Sequence, residues 1–299
     1  MAHELDLTVR LQLGDRSITI GGHASPYRLL SSGFSGSEGA EAVIETAAHA
    51  ACGGDAVLSR RIAGRDMTLV FEIADHDNRE AYRAALLSFF DPTADGVLTV
   101  MRSVDGKTVT RAAACMLSGR VTLTQESLHA FIRVRVPLFC PEPYFQSEAV
   151  NRDAAKTVTP LLSFPLTVTG DCGLTSGLIR CADTVSVRNT GDAPTGFVLQ
   201  LTAMDAGGTA GMVNPAITRE EDGAYIRLLT SLEKGDTLTV STVPGAKYVL
   251  KNGEPCLLFD RGSTFFALHR GVNTLKITAD AMLEPPDVRI SFRNRYFGA

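Results

Sequence analysis

Residues 132–145 read Ile-Arg-Val-Arg-Val-Pro-Leu-Phe-Cys-Pro-Glu-Pro-Tyr-Phe. Ile132, Val134, Val136 and Leu138 share one face of a period-two pattern, while Phe131, Arg133 and Arg135 share the other, which predicts a strand with one buried face. Pro137 is read as marking the end of that strand. Pro141 and Pro143 lack backbone donors, fix their own φ and push Cys140 and Glu142 towards extended backbone, so the chain is expected to leave the ladder as a stiff connector. Two domains are therefore expected: residues 1–138, a joint over 139–148 carried by Pro137, Pro141, Pro143, Tyr144 and Phe145, and residues 149–299.

A chain of 299 residues accommodates two domains, each with its own core. Charged residues at 21% and hydrophobic ones at 44% are ordinary for a soluble protein. No apolar run approaches the roughly 20 residues that cross a bilayer, so no membrane insertion is expected. Met1 to Asp6 contain no basic segment followed by an apolar one, so no secretory signal is expected either. Lys+Arg at 29 against Asp+Glu at 33 gives a net charge of −4, which offers no electrostatic grip on phosphate backbones. The six cysteines, Cys52, Cys115, Cys140, Cys172, Cys181 and Cys256, form no CxxC pair, so buried thiols are preferred over zinc or a disulfide framework. Cys172 and Cys181 are close enough in sequence to face each other across a hairpin, but a reducing compartment argues against a bond.

In the first domain Leu5, Leu7, Val9, Leu11 and Leu13 alternate with polar residues, and Gly14-Asp15 turns the chain into Ser17 to Ile20, a hairpin. Ser31 to Gly39 (SSGFSGSEG) has loop composition, and its glycines fit no phosphate-binding spacing. Met67 to Ile73 is a strand apolar enough to be covered on both faces. One helix follows, with Asp77 and Glu80 in a capping-box arrangement and Asp91-Pro92 as its stop. Tyr82, Ala85, Leu86, Phe89 and Phe90 form its apolar stripe, read as core and not as a ligand box. Leu98 to Met101, Arg111 to Leu117, Gly119 to Thr124 and Ala130 to Leu138 then complete an antiparallel meander, with Asp105-Gly106 as a hairpin turn.

From Thr157 to Val168 onwards, short apolar runs recur with turns between them and no helical period of any length. They include Val185 to Val187, Phe197 to Leu201, Ala224 to Leu229, Thr237 to Val240, Tyr248 to Leu250, Leu257 to Phe259, Phe265 to Leu268, Thr274 to Ile277 and Val288 to Phe292. Strands of this size and spacing predict a jelly-roll or galectin-like β-sandwich. Asp205 to Gly211 is expected to be a surface loop.

Catalytic chemistry is not indicated, and no cofactor or metal is expected. There is no GxSxG, His76 lies where the helix begins, and the six histidines are scattered without ligand spacing. Glu220, Glu221 and Asp222 read as a solvated acidic turn. Sugar binding is the rival on the strength of the galectin-like architecture. Against it, the chain has no tryptophan, and the phenylalanines of the second domain are needed for core.

The strand running into Phe139-Cys140-Pro141-Glu142-Pro143-Tyr144-Phe145 resembles the end of the first domain in the distal tail proteins (Dit) of long-tailed bacteriophages. Val185 to Asp192, Gly235 to Thr242, Asn252-Gly253 and Gly271 to Leu275 are similar to the turn and strand blocks of that family's second domain. The resemblance implies a tail-tube-like β domain with one helix, followed by a sandwich. It also implies a strand over Ala40 to Ala51, where the residue pattern itself leans towards helix. The implied function is that of a non-enzymatic virion protein at the tail tip, assembled in the host cytoplasm into a hexameric ring that joins the tail tube to the tail-tip hub. The implied partners are further copies of itself, the tail-tube protein, the hub or tail-associated lysin and the tape-measure protein, with DNA as passing cargo. Receptor-binding proteins or host surface glycans are the partners of the alternative, a carbohydrate-binding accessory protein acting through the sandwich.

Overall fold

The computed structural model describes residues 6–49, 53–127, 130–154, 156–160, 177–181, 183–204, 211–282 and 285–299, with the backbone alone for 156–160 and 177–181. The chain divides into two units, Met1–Glu148 with Arg295–Ala299, and Ala149–Asn294. The expected boundary at 149–299 is corrected at its far end: the last five residues return to the first unit, because they pair with its sheet.

The strands of the first unit are β1 (Asp6–Leu13), β2 (Arg16–Ile20), β3 (Tyr27–Ser35), β4 (Ala42–Ala48), β5 (Asp55–Ile62), β6 (Arg65–Ile73), β7 (Gly96–Val104), β8 (Lys107–Leu117), β9 (Thr122–Thr124), β10 (Arg133–Cys140) and β11 (Phe145–Ser147). The helix α1 (Arg79–Phe89) lies between β6 and β7. The main sheet runs β2-β1-β7-β8-β10-β6-β3, all antiparallel. Its inward residues, among them Val9, Leu11, Leu69, Phe71, Leu98, Val100, Val134, Val136 and Leu138, are essentially inaccessible and share one core with Leu86 and Phe89 of α1. At roughly 1.5–3 kcal/mol for each fully buried large side chain, this core is the unit's main source of stability.

Pro137 does not end its strand. β10 passes through it in register with Thr68 and continues to Cys140. The Ser118 N–H donates to the Pro137 carbonyl, so the side on which proline lacks a donor faces the connection from β8 to β9, where a missing bond costs little. The expected joint over 139–148 is corrected in the same way. Phe139 and Cys140 belong to β10, Phe145–Ser147 form β11 against β8, and Pro141 to Tyr144 and Glu148 lie outside strands.

Three more local expectations change. The helix is preceded by Asn78 with no side-chain cap; it is Asp75 that accepts the N–H groups of Asp77 and Asn78 in a turn before it, and Ala85 is exposed. The loop-like Ser31 to Ser35 is strand, because β3 crosses β6 so closely that a Cβ on Gly33 would meet the Val70 carbonyl oxygen at 2.1 Å. β6 is covered fully on one face only, Val70 and Thr68 on the other being half-exposed. Asp105-Gly106 is a hairpin turn with both φ angles positive (51° and 76°), as a two-residue primed turn requires. Residues Ala42–Ala48 are a strand.

The second unit comprises β12 (Asn151–Ala154), β13 (Lys156–Pro160), β14 (Gly177–Cys181), β15 (Thr184–Asn189), β16 (Phe197–Thr202), β17 (Met212–Val213), β18 (Ala216–Arg219) and β19 (Tyr225–Arg227). It continues with β20 (Ser231–Leu232), β21 (Thr237–Ser241), β22 (Tyr248–Lys251), β23 (Glu254–Pro255), β24 (Gly271–Thr278), β25 (Ala281–Met282) and β26 (Asp287–Phe292). β27 (Arg295–Tyr296) belongs to the first unit. A sheet β12-β26-β16-β21-β22-β23 and a sheet β15-β24-β18-β19 bury one shared core that includes Val187, Phe197, Leu199, Val240, Leu275 and Ile290, the arrangement of a β-sandwich. Leu257 to Phe259 and Phe265 to Leu268 are not strands. They make single bridges at Phe259 and Leu268 in an irregular segment that exposes Leu257 and Leu258 while Phe266 packs on Phe197. Residues 161–176, Cys172 and most of the Asp205 to Gly211 loop lie outside the described residues, as does the Cys181 side chain.

Candidate functional site

The stripe and the joint expected from sequence occupy different parts of the first unit. Leu86 and Phe89 are buried, Phe90 packs edge-on against Phe89 at 5.2 Å, and Tyr82 packs edge-on against Tyr27 at 5.9 Å. Arg16 reaches from β2 to the carbonyls of Ser88 and Phe89 and so satisfies the last turn of the helix. These residues pack into the first unit's core.

The joint is a clasp built by arginines. Arg65, the first residue of β6, is 7% exposed, and its guanidinium donates to backbone carbonyl oxygens. It donates to Pro143 at 2.9 and 3.2 Å, to Gly36 at 2.8 Å, to Phe297 at 2.5 Å and to Glu38, and lies 5.0 Å from the centre of the Phe145 ring. Desolvation lowers its pKa. Arg295 pairs with Glu142 and lies over Tyr144, Arg111 lies 4.0 Å from the Tyr296 ring centre and donates to Gly298, and Tyr144 contacts Phe297 at 5.9 Å. Phe145 is wholly buried. Thus Pro143, Tyr144 and Phe145 are brought together with the chain's last residues, while Pro141 and Pro137 stay outside the clasp. Sequence reasoning missed Arg65, Arg111 and Arg295, whose partners are up to 232 residues away.

A second feature is the hairpin of β4 and β5, which forms its own two-stranded sheet. Ile44, Val57 and Leu58 on it are 48%, 57% and 68% exposed. A lone two-stranded hairpin is at best marginally stable in water, and this one presents exposed apolar residues.

The third is a groove of ≈ 410 Å³ on the outer face of the six-stranded sheet of the second unit. Register sets Arg152, Ser291, Val198, Ser241 and Tyr248 in one row across the sheet, and Ala154, Arg289, Gln200, Thr239 and Leu250 in the next, with Ser241, Tyr248 and Leu250 beyond the groove's lining. Their neighbours along each strand, such as Leu199, Val240 and Ile290, face the core. Tyr248 is an exposed aromatic that the sequence reading overlooked. In the opposite sheet, Arg219 binds Asp222 bidentately and holds its carboxyl well below the usual range, so the expected acidic turn, with Glu220, Glu221 and Asp222 all exposed, also braces the end of β18. Among the described residues no group of three His, Cys, Asp or Glu side chains could hold a metal ion.

The first unit is an antiparallel β domain with one helix, and the second, a β-sandwich, lies in sequence between β11 and β27 of the first. Residues 190–296 match the family model of the siphovirus-type tail component, C-terminal domain, of the SPP1 Dit family. Among solved structures, the Dit protein of phage SPP1, described as a paradigm of the hub adsorption apparatus in phages infecting Gram-positive bacteria, aligns over 96% of this chain and 98% of its own. The identity is 12% and the TM-score 0.62, which shows a shared fold. A chain of the activated phage P2 baseplate with Ca aligns over 97% and 98% at 9% identity, with a TM-score of 0.44 that is too low to carry weight. No curated protein matches. The family match and the shared fold bear out the resemblance to the distal tail proteins and support a structural part of a phage tail.

Proposed function

We propose that the chain is a structural protein of the tail tip whose first unit closes with five further copies into a ring. The ring joins the tail tube to the hub, houses the tape-measure protein before ejection and passes DNA afterwards. The observation that carries the ring is the β4–β5 hairpin: exposed on both faces and unpaired with the main sheet, it is a head-to-tail arm whose apolar residues Ile44, Val57 and Leu58 need a neighbouring copy. Native mass spectrometry of the full chain, with negative-stain imaging, tests the ring. A hexamer with a central hole is expected, and a strict monomer at high concentration, with or without the tail-tube protein, refutes it.

The groove of the second unit favours one additional reading, recognition of a hydroxyl-rich glycan at the host surface. The groove offers Gln200, Thr239, Ser291, Arg152 and Arg289 as donors and acceptors, and Tyr248, two strands beyond Val198 on the same face, is an exposed ring for stacking. A glycan array probed with the full chain and with Tyr248→Ala tests it; silence on the array, or binding that the substitution does not weaken, ends it.

A further inference from the structure

Two thiols of the first unit fall opposite each other. β10 pairs with β8 at Leu138↔Leu117 and Phe139↔Met116, and one step further in the same register sets Cys140 opposite Cys115. The kind of pair follows from a single hydrogen bond. Ser118 donates to the Pro137 carbonyl at 3.2 Å, so Ser118 and Pro137 are a hydrogen-bonded pair. Pairs alternate along an antiparallel ladder, which makes Met116 and Phe139 hydrogen-bonded and Cys115 and Cys140 non-hydrogen-bonded. In such a pair the Cα atoms are about 4.5 Å apart and the side chains approach most closely. That separation falls inside the roughly 4.4–6.8 Å range that a disulfide spans.

Both side chains point into the same core, at 3% and 0% exposure, and both are reduced. Burial pushes the Cys115 thiol up to about 12, with Cys140 adding to it, and burial pushes Cys140 up to about 11. The thiols are therefore protonated and slow to react at neutral pH. Cys115 nevertheless borders a cleft. The cleft, ≈ 390 Å³ in volume, is lined by Gly96, Val97, Cys115, Met116 and by Pro141, the residue following Cys140.

We propose that Cys115 and Cys140 are a latent cross-strand disulfide, open while the chain is made in a reducing compartment and closed by a small organic disulfide entering through the cleft. The thiolate of one cysteine attacks a sulfur of the reagent and expels one thiolate, giving a mixed disulfide. The second cysteine then attacks the protein sulfur and expels the other half. Two protein thiols and one small disulfide become one protein disulfide and two small thiols, with the protein protons ending on the leaving groups. The bond ties β8 to β10 in the middle of the main sheet, where it limits the unfolded chain without new contacts in the folded one.

The experiment treats the full chain with hydroxyethyl disulfide at pH 7 and pH 9, followed by non-reducing peptide mass spectrometry and calorimetry. The expected product is a peptide linking Cys115 to Cys140. It should form roughly tenfold faster per pH unit while the thiolates remain scarce. It should raise the first unit's melting temperature by about 5–10 °C, and dithiothreitol should reverse both changes. Cys140→Ala should lose the link and the shift together. Mixed disulfides on either cysteine without the link, links to any other cysteine, or modification confined to the partly exposed Cys256 would each overturn the proposal; because the link is read in the unsubstituted chain, a variant that fails to fold does not obscure the result.

Discussion

Replacing Arg65 by methionine keeps a long apolar stem of similar reach and removes every donor. Four carbonyl oxygens, those of Gly36, Glu38, Pro143 and Phe297, then lose a charged partner at once. A buried acceptor left unpaired costs about 1–3 kcal/mol. Two effects reduce the sum: water reaches the exposed Glu38 segment, and methionine relieves the desolvation that lowers the arginine's pKa. The net expectation is a loss of about 3 kcal/mol, which for a unit of this size is a fall of about 6–12 °C in melting temperature. The assay is differential scanning calorimetry of the full chain, in which the two units are expected to melt separately. The first unit's transition should fall by that amount, and the second unit's should not move. Amides around Gly36 and Phe297 should also lose hydrogen-exchange protection together, since the same guanidinium holds both. A fall of less than about 2 °C, or a fall confined to the second transition, would falsify the clasp as a source of stability.

Phe89→Asp places an unpaired carboxylate in the core beside Leu86 and should abolish the first unit's transition while leaving the second; a soluble variant with unchanged melting contradicts the burial of Phe89. Leu58→Asp, on the exposed hairpin, should leave the melting of the monomer within about 0.5 kcal/mol of the parent and eliminate the hexamer in native mass spectra, and a hexamer that survives would move the ring contact elsewhere. Glu72 is 8% exposed and its pKa is lowered, first by the hydrogen bond from Arg28, against burial, and then by Arg133. A carboxylate with a depressed folded pKa contributes stability above its unfolded value near 4.5, and that contribution is lost as pH falls through the lower folded value. Glu72→Gln should therefore be less stable than the parent at pH 7 and lose less stability between pH 5 and pH 3, as urea titrations would read.

What was legible in the sequence was local. Alternation in β1, β10 and β26 marks strands because each has one buried face, and Asp105-Gly106 marks a turn because both residues tolerate positive φ. The stripe at Leu86 and Phe89 was visible because helical spacing survives whatever the helix packs on. What failed was decided by distant partners. Pro137 continues a strand only because its donorless side faces the turn between β8 and β9, and Gly33 lies in a strand only because β6 crosses beneath it. The β4–β5 hairpin shows no alternation, since neither face is buried within the chain, so its alanine-rich pattern leans towards helix. The clasp leaves no sequence trace, because an arginine bonded to carbonyls selects backbone positions and not residue types.

The return of the last residues to the first unit also determines how the second unit is attached. β11 and β27 pair directly at Phe145↔Tyr296 and Gln146↔Arg295, so the chain leaves the first unit and re-enters it on hydrogen-bonded neighbours. An insertion between two paired strands can be exchanged for a hairpin turn without moving either strand. Joining Ser147 to Asn294 through Asn-Gly, with the intervening residues removed, continues that register into a two-residue primed turn. The product should fold with a melting temperature close to that of the first transition of the full chain, because the core around Phe71 and Leu138 and the Arg65 clasp are all retained. If it also forms the hexamer, the ring contact lies within the first unit. An unfolded product would mean that the first unit depends on the sandwich, and that the pairing of β11 with β27 does not close it independently.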